Sequence, residues 1–257
     1  MENKRDSDNF LTSRQAAHFL NISLSTLKKF IYSGRIKTLK TPGGHHRIRK
    51  DDLFKMIDAG APPVPSDALK DKTLLGIFKG LVNLLEKRQK FCRGHANSVA
   101  KISLKIAQKL KFSSEQMERL HLASLLHDIG MLSIDESILN KETKLNNKEY
   151  SIIKTHPLLG EEVVKSLRQF KRLSIIIRQH HERYDGAGYP DGLKKDAICP
   201  EAKVISLAEA FACMTARDSY RKPLSEKEAI GEIKRNAARQ FDPQMVEIFL
   251  KIYKNER

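Results

Sequence analysis

The stretch Leu122-Ala123-Ser124-Leu125-Leu126-His127-Asp128-Ile129-Gly130 decides how the larger part of this chain is read. A mostly apolar helical run leads straight into a histidine and an aspartate. A carboxylate at the end of such a run is unfavourable to bury unless something neutralises it, and a bound cation would do so. Neighbouring residues on a helix point about 100° apart. His127 can therefore bind an ion terminally while Asp128 bridges to a second one. The first reading is a helical core built around a metal-ligating pair.

The flanking sequence agrees. Residues 69–257 read as helix after helix, with Leu74, Phe78, Leu81 and Leu85 forming one amphipathic stripe and Val99, Ile102, Leu104, Ile106 and Leu110 extending the pattern. Ser113-Ser114-Glu115 restarts a helix, and no convincing set of alternating strands interrupts the series. Further candidate ligands are His95, His156, His180, His181 and Glu209. Imidazole with carboxylate suits iron, manganese, zinc, cobalt or nickel and disfavours magnesium and calcium. No serine- or cysteine-based triad competes with this reading.

Composition narrows the class. The 257 residues carry 47 Lys and Arg against 31 Asp and Glu, a net charge of +16, which predicts a polyanionic partner. Hydrophobic residues at 40% and charged residues at 30% are those of a globular protein. No apolar run is long enough to span a membrane. The polar start Met1-Glu2-Asn3-Lys4-Arg5-Asp6 leads into no signal-peptide core. Cys92, Cys199 and Cys213 form no CxxC pair and read as ordinary buried or half-buried thiols. A cytoplasmic protein without a membrane partner is expected.

The positive charge is concentrated near the start. From Asn9 to Lys50 there is no acid but nine basic residues. Thr12 or Ser13 can cap a first short helix, Asn21-Ile22-Ser23 reads as a turn, and Ser23 or Ser25 can cap a second helix that stops at Ser33-Gly34. Thr41-Pro42-Gly43-Gly44-His45-His46-Arg47-Ile48 reads as a β-hairpin with a Gly-Gly tip, and Asp51 can cap a last helix. Ala59-Gly60-Ala61-Pro62-Pro63-Val64-Pro65-Ser66 then breaks every regular pattern. The expected organisation is a DNA-binding domain over residues 1–58, a Pro-rich linker over 59–70 and a helical domain over 71–257.

These residues carry two resemblances. Leu11 to Ala17, Ser25 to Phe30, Ser33 to Ile36 and the Thr41–Ile48 hairpin resemble the winged helix-turn-helix of MerR-type and excisionase-type DNA-binding proteins. The resemblance implies that Ser25, Thr26, Lys28 and Lys29 face DNA, with Arg35, Gly43, Gly44, His46, Arg47 and Arg49 completing the surface. Lys and Arg would supply most of the affinity through phosphate contacts, and one copy should bind weakly, so a homodimer is expected.

His127-Asp128 together with His180-His181-Glu182-Arg183-Tyr184-Asp185-Gly186-Ala187-Gly188-Tyr189-Pro190 resembles the HD-GYP branch of the HD-superfamily metal-dependent phosphohydrolases, over roughly residues 70–250. That resemblance implies an all-α HD domain that hydrolyses a cyclic dinucleotide, cyclic di-GMP above all. It implies one metal held by His95, His127, Asp128 and Glu209, and a second by Asp128, His156, His180 and His181. His127 and Asp128 would be catalytic as well as ligating. Gly186, Gly188, Tyr189, Pro190, Arg217 and Arg221 would meet the substrate. Two divalent transition-metal ions are expected, iron or manganese ahead of zinc, cobalt and nickel.

The match has gaps. The lysine that follows HDIG in the family is Met131, the last ligand is Glu209 where the family has aspartate, and Asp218 stands where an arginine is usual. A further carboxylate of three-metal members is Phe91 here. The retained ligands fit a slow phosphodiesterase. The lost phosphate-gripping residues fit a transcription factor that senses the dinucleotide without significant turnover.

Overall fold

A computed structural model of the protein describes residues 10–19, 23–41, 43–49, 52–53, 72–89, 93–165, 170–216 and 222–254. These belong to two compact units, Met1–Pro65 and Ser66–Arg257. In the first, strand β1 (Phe10–Thr12) leads into helix α1 (Ser13–Phe19), followed by α2 (Leu24–Tyr32). Thr12 caps α1: its Oγ1 accepts from the Gln15 N–H at 3.3 Å, and Gln15 Oε1 accepts from the Thr12 N–H at 3.0 Å. Ser23 caps α2 by accepting from the Thr26 N–H at 3.1 Å, while Ser25 lies inside the helix.

The expected hairpin is formed by β2 (Thr38–Lys40) and β3 (His46–Arg49), closed by Thr41 N–H to His45 O at 2.9 Å and Gly44 N–H to Thr41 O at 2.8 Å. Strand β1, absent from the pattern of short helices and hairpin, pairs antiparallel with β3 in a sheet of order β1-β3-β2. Leu11 and Thr38 both lie opposite Ile48. Ile48 therefore sits at the centre of a small core with Leu11, Ala16, Ala17, Leu27, Ile36 and Leu53, all buried. The turn at Asn21-Ile22, the cap at Asp51, most of the last helix and the Pro-rich linker lie outside the described residues.

The second unit is helical. Its order is α3 (Lys72–Arg88), α4 (His95–Lys109), α5 (Ser114–Leu126), a 3-10 turn (Ile129–Ser133), α6 (Glu136–Leu139), α7 (Asn147–Ile153), α8 (His156–Lys165) and α9 (Lys171–Gln179). A second 3-10 turn (Lys195–Ala197), α10 (Pro200–Thr215), α11 (Glu226–Arg235) and α12 (Pro243–Lys254) complete it. Reciprocal capping boxes start α5 (Ser113 with Gln116), α7 (Asn146 with Glu149) and α11 (Ser225 with Glu228). The α3 stripe buries Phe78 and Leu85 as expected, with Val82 beside them, and leaves Leu74 and Leu81 half-buried.

Helix α5 packs against α4, α9 and α10, and α4 packs against α10. Ile106, Leu120, Leu126, Ile176, Ile177 and Ile205 fill the space between them and are fully buried. Cys199 is buried, and burial pushes its thiol up to about 12. Cys213 is exposed, against the expectation that every thiol is at least half-buried, because it lies on the outer face of α10.

At the far end of the unit Phe249 is fully buried, with its ring 5.1 Å from Phe211 and 4.6 Å from Tyr253. Phe249→Ala should cost about 3–5 kcal/mol of stability through lost transfer energy and the cavity left behind. Urea unfolding followed by far-ultraviolet circular dichroism measures it, and a loss below about 1 kcal/mol would mean the site collapses around the gap.

Candidate metal centre

Each candidate ligand sits at a point where a helix begins or ends, with Glu209 the exception. His95 is the first residue of α4, whose start is fixed by Glu86 on α3: its carboxylate accepts from the Gly94 N–H at 3.0 Å and the Ala96 N–H at 3.3 Å. His127 and Asp128 follow the last turn of α5, His156 opens α8, His180 and His181 follow α9, and Glu209 lies within α10. The side chains of His127, His156 and His180 are completely buried.

Three of these rings are oriented in one way. His127 Nδ1 contacts Ser124 O at 2.8 Å, His156 Nδ1 contacts Ile153 O at 2.8 Å, and His180 Nδ1 contacts Ile177 O at 2.5 Å. A carbonyl can only accept, so each Nδ1 carries the proton and donates. In the neutral ring each Nε2 then keeps its lone pair pointing inward, as a metal ligand requires.

The Asp128 carboxylate stands between two groups of these nitrogens. Its Oδ2 lies 3.3 Å from His127 Nε2 and 4.0 Å from His95 Nε2, while Oδ1 lies 3.3 Å from His156 Nε2. Asp128, His156, His180 and His181 form one set of ligand atoms mutually within 4.8 Å, and His95, His127 and Glu209 form another. All seven residues singled out by sequence are thus gathered. Glu209 also reaches toward the other set, with Oε1 3.8 Å from His181 Nε2.

The donor set fits a cation. His127 Nε2 and Asp128 Oδ1 are buried and make no hydrogen bond. His156 Nε2 and His180 Nε2 face each other at 3.0 Å, although both rings already use their single neutral-state proton at Nδ1. Two lone pairs at that separation repel unless a positive charge lies between or beside them. His95, His127, Asp128, His156, His180, His181 and Glu209 could together hold more than one ion.

Electrostatics lead to the same conclusion. Burial, helped by the positive His127, lowers His95 to about 4. Burial and His156 lower His181 to about 3, and burial also holds His156 and His180 below the usual histidine range. His127 runs the other way: burial pulls it down, but the charge of the adjacent Asp128 carboxylate, with Glu209 behind it, outweighs burial and raises it to about 9. Burial alone would raise Asp128, yet His127, His156 and His95 hold it well below the carboxylate range. Burial and the neighbouring Asp128 push Glu209 up to about 8 against the pull of His127.

The GYP segment packs against the second set of ligands. Tyr189 stacks on His181 with ring centroids 4.8 Å apart, and its N–H donates to His181 O at 3.2 Å. A Cβ on Gly188 would lie 2.4 Å from Arg183 N and 2.6 Å from His181 O, so the chain can pass there only without a side chain. Gly186 lies under the Lys194 side chain, and Pro190 continues the segment. Lys154 holds its ammonium 4.8 Å from the Tyr150 ring centroid and 5.5 Å from that of Tyr189. Arg217, Asp218, Arg221 and Phe91 lie outside the described residues.

Sequence reasoning missed three supports. A Cβ on Gly130 would lie 2.0 Å from His156 O and 2.5 Å from Gly160 N, so Gly130 lets the turn after Asp128 press against the start of α8. Glu182 is buried and accepts from the Asp191 N–H at 2.6 Å and the Leu193 N–H at 2.9 Å, tying down the chain that follows Pro190. Arg178 bonds both oxygens of Asp191 at 2.7 and 2.8 Å and also reaches Glu161. The signal for Glu182 was available: an acid beside two buried histidines needs a partner.

In the basic unit the residues expected at DNA are mostly at the surface. Ser25, Lys28, Lys29, Arg35, Gly43, Gly44 and Arg49 are exposed, while Thr26, His46 and Arg47 are half-buried. The hydroxyls of Ser25 and Thr26 both contact Ser23 Oγ, at 2.7 and 2.8 Å. His46 Nδ1 contacts Thr38 Oγ1 at 2.7 Å. The Arg35 and Arg49 guanidinium groups lie over Phe30 and Phe10.

The imidazoles give the metal-free protein a defined response to acid. His95 and His181 stay neutral in the folded chain down to about 4 and about 3, whereas unfolded histidines take up protons near pH ~6.5. Their folded values lie below the unfolded one, so below that pH the unfolded chain binds more protons and folding weakens. His127 does not offset this, because the stability from its raised value is fully present throughout that window. Glu209 cancels one such histidine, because its value of about 8 keeps it protonated in the folded chain while an unfolded glutamate is ionised. Metal-free protein should then lose about 1.4 kcal/mol per pH unit for each further lowered histidine as pH falls from about 6.5 toward 4.5. Urea midpoints at a series of pH values check this, and a flat profile would contradict neutral, buried imidazoles.

The chain matches the HD domain family over residues 79–245 and a helix-turn-helix domain family over residues 10–61. A cyclic di-GMP phosphodiesterase response regulator of Xanthomonas campestris pv. campestris is 34% identical over 148 residues, 57% of this chain and 39% of the relative. The 3'3'-cGAMP-specific phosphodiesterase 2 of Vibrio cholerae is 30% identical over 174 residues, 66% of this chain and 33% of the relative. The chain thus spans well under half the length of these two proteins. Among solved structures, an HDG"Y"P protein from Bdellovibrio bacteriovorus shares the fold, with a TM-score of 0.54 at 18% identity over 82% of this chain and 83% of that one. With a helix-turn-helix segment ahead of it and the GYP signature within it, residues 79–245 make this chain a member of the HD domain family.

Proposed function

We propose that this chain is a metal-dependent phosphodiesterase acting on a cyclic dinucleotide, cyclic di-GMP first, joined to a DNA-binding module. The observation that carries the reading is the Asp128 carboxylate, which turns one oxygen to each of two buried sets of nitrogen ligands. Cyclic di-GMP and 3'3'-cGAMP are the substrates in the names of the two relatives, and they share the bridging phosphodiesters such a centre would engage.

His95, His127, Asp128 and Glu209 would hold one divalent ion, and Asp128, His156, His180 and His181 the other, iron or manganese ahead of zinc, cobalt and nickel. Bound there, two divalent ions would supply Lewis-acid stabilisation of phosphate charge and an activated water at neutral pH. His127 and Asp128 set the geometry of the reacting centre, and Tyr189, held against His181, borders the substrate together with Gly186, Gly188 and Pro190. Arg217 and Arg221 would contact its phosphates.

A second reading is favoured by Met131. Its side chain offers no donor where the family's lysine would reach a phosphate, and such a contact is worth about 10²–10³ in rate. The native chain then hydrolyses cyclic di-GMP slowly, or binds it as a signal to the DNA-binding module without significant turnover. Metal-loaded protein incubated with cyclic di-GMP, and separately with 3'3'-cGAMP, decides between the readings by the appearance of linear product. Met131→Lys should raise turnover by roughly one to two orders of magnitude at unchanged metal content. Native turnover already at that higher level would remove the basis for the sensor reading.

Residues 1–58 would bind DNA as half of a homodimer, with residues 59–70 as linker and residues 71–257 as the catalytic domain. Lys28, Lys29, Arg35, Arg47 and Arg49 would meet phosphates, and the wing around Gly43, Gly44 and His46 would lie against the backbone. Ser25 and Thr26 spend hydroxyl bonds on Ser23, which supports affinity by charge more than by base reading. Arg47→Ala and Lys28→Ala should each weaken binding on every sequence alike and reduce the slope of log K against log salt by about one. Binding that does not weaken with added salt would sink this assignment.

A further inference from the structure

Two turns before the metal ligands lies a second buried cluster of charge, which the proposed chemistry does not use. Glu201, fully buried in the first turn of α10, directs Oε1 toward Arg119 Nη2 at 3.8 Å and Oε2 toward Arg172 Nη2 at 3.7 Å. Arg119 lies on α5 and also contacts Glu115 one turn earlier; Arg172 lies on α9. Neither Glu201 oxygen makes a hydrogen bond. At these separations the Glu201 carboxylate has attraction to two guanidinium groups without the directional bonds that normally offset the cost of burying its charge. Apolar side chains of similar volume often replace such a group without loss of stability, so stability is a weak reason for the cluster.

Spacing suggests what does. Arg119 precedes His127 by eight residues, Arg172 precedes His180 by eight, and Glu201 precedes Glu209 by eight. That is about 12 Å along each helix. The far ends also meet: the His127 and His180 rings lie 5.3 Å apart, and Glu209 shares a ligand set with His127. Helices α5, α9 and α10 pack on one another. Equal offsets between two meeting points mean that the three helices run side by side, in one direction, with one axial stagger. A slip of one residue in any of them would carry its ligand about 1.5 Å along the axis and about 100° around it. Metal–ligand distances tolerate only about 0.2 Å.

We propose that Arg119, Arg172 and Glu201 are positioning residues: a buried charge layer that fixes the stagger of α5, α9 and α10 and so sets His127, His180 and Glu209 for metal binding. The inference rests on the metal-centre reading above. Fixing register is the best-attested use of buried charge, since a misaligned helix leaves an unpaired ion in the core. One carboxylate shared by two guanidinium groups ties all three helices at once.

The test uses the full chain loaded with Co²⁺, read by competition with a chelator, by the visible absorption of the bound ion and by thermal melting. Glu201→Gln keeps the shape and removes the charge; it should weaken Co²⁺ binding by about 10–100-fold and alter the absorption bands. The triple variant Arg119→Met, Arg172→Met, Glu201→Leu should melt at or above the native temperature yet still bind Co²⁺ weakly. If Glu201→Gln cannot be obtained folded, the triple variant decides alone. A triple variant with native melting, native affinity and native bands overturns the proposal. So does one that loses the ion only together with its melting transition, which would report a structural role. If the native chain binds no Co²⁺, the metal-centre reading itself fails and takes this inference with it; native binding with unchanged variants confines the failure to the charge layer.

Discussion

Five imidazoles and two carboxylates inside one helical core form an arrangement that no apolar packing can offset by itself. Water is excluded from His127, His156 and His180, so their polar atoms must be satisfied by the protein or by a ligand. The chain solves half of this internally. At the ends of α5, α7 and α9, a backbone carbonyl left unpaired by the helix accepts from the histidine three residues on. One bond satisfies two orphan groups, locks the ring and turns the other nitrogen inward. The remaining half is left for a cation, and the layering of helices around the site follows from the need to bring those ends together.

That need explains which parts were legible. The ligands could be read from the sequence because buried histidines beside an aspartate have few other uses, and all seven converge. The two-helix-and-hairpin pattern of the basic unit was legible because caps and a Gly-Gly tip are local signals. What could not be read depends on partners far along the chain. Strand β1 is three residues with no alternation of its own, and it exists only because β3 offers an edge. Glu86 is an ordinary surface-type residue in a basic helix until the start of α4 comes to rest against it. The choice of Ser23 over Ser25 as a cap turned on where the helix begins, a boundary that sequence fixes only to within a residue or two.

The basic unit follows a simpler economy. Among its described residues the buried side chains are aliphatic, with Ile48 and Leu27 fully buried. Aromatic surface is used to hold cations in place, as with Arg35 over Phe30 and Arg49 over Phe10. Such contacts order long side chains without neutralising them. The charge excess of the chain is thus carried in part by a stretch whose described basic groups are exposed, apart from the half-buried Arg47, and meet no acid from within that stretch.

The motif letters of the helical unit divide into two kinds, and the division bears on the substitutions in this chain. Gly130, Gly188 and Glu182 serve the backbone: two allow close passage of main chain, and the third binds two main-chain amides. His127, Asp128, His180 and His181 serve the centre. Met131 belongs with neither group through its side chain; it is the Met131 N–H that bonds Asp128 O, at 2.8 Å. A change of side chain there leaves that bond in place. Glu209 departs from the family's aspartate, but the longer carboxylate still lies with His95 and His127 while reaching His181. Neither substitution removes a contact that the backbone uses: the Met131 bond is made by its N–H, and the Glu209 carboxylate still joins the ligand set. The backbone-serving letters Gly130, Gly188 and Glu182 keep their contacts, so the ligands are held in place whatever side chain stands at position 131.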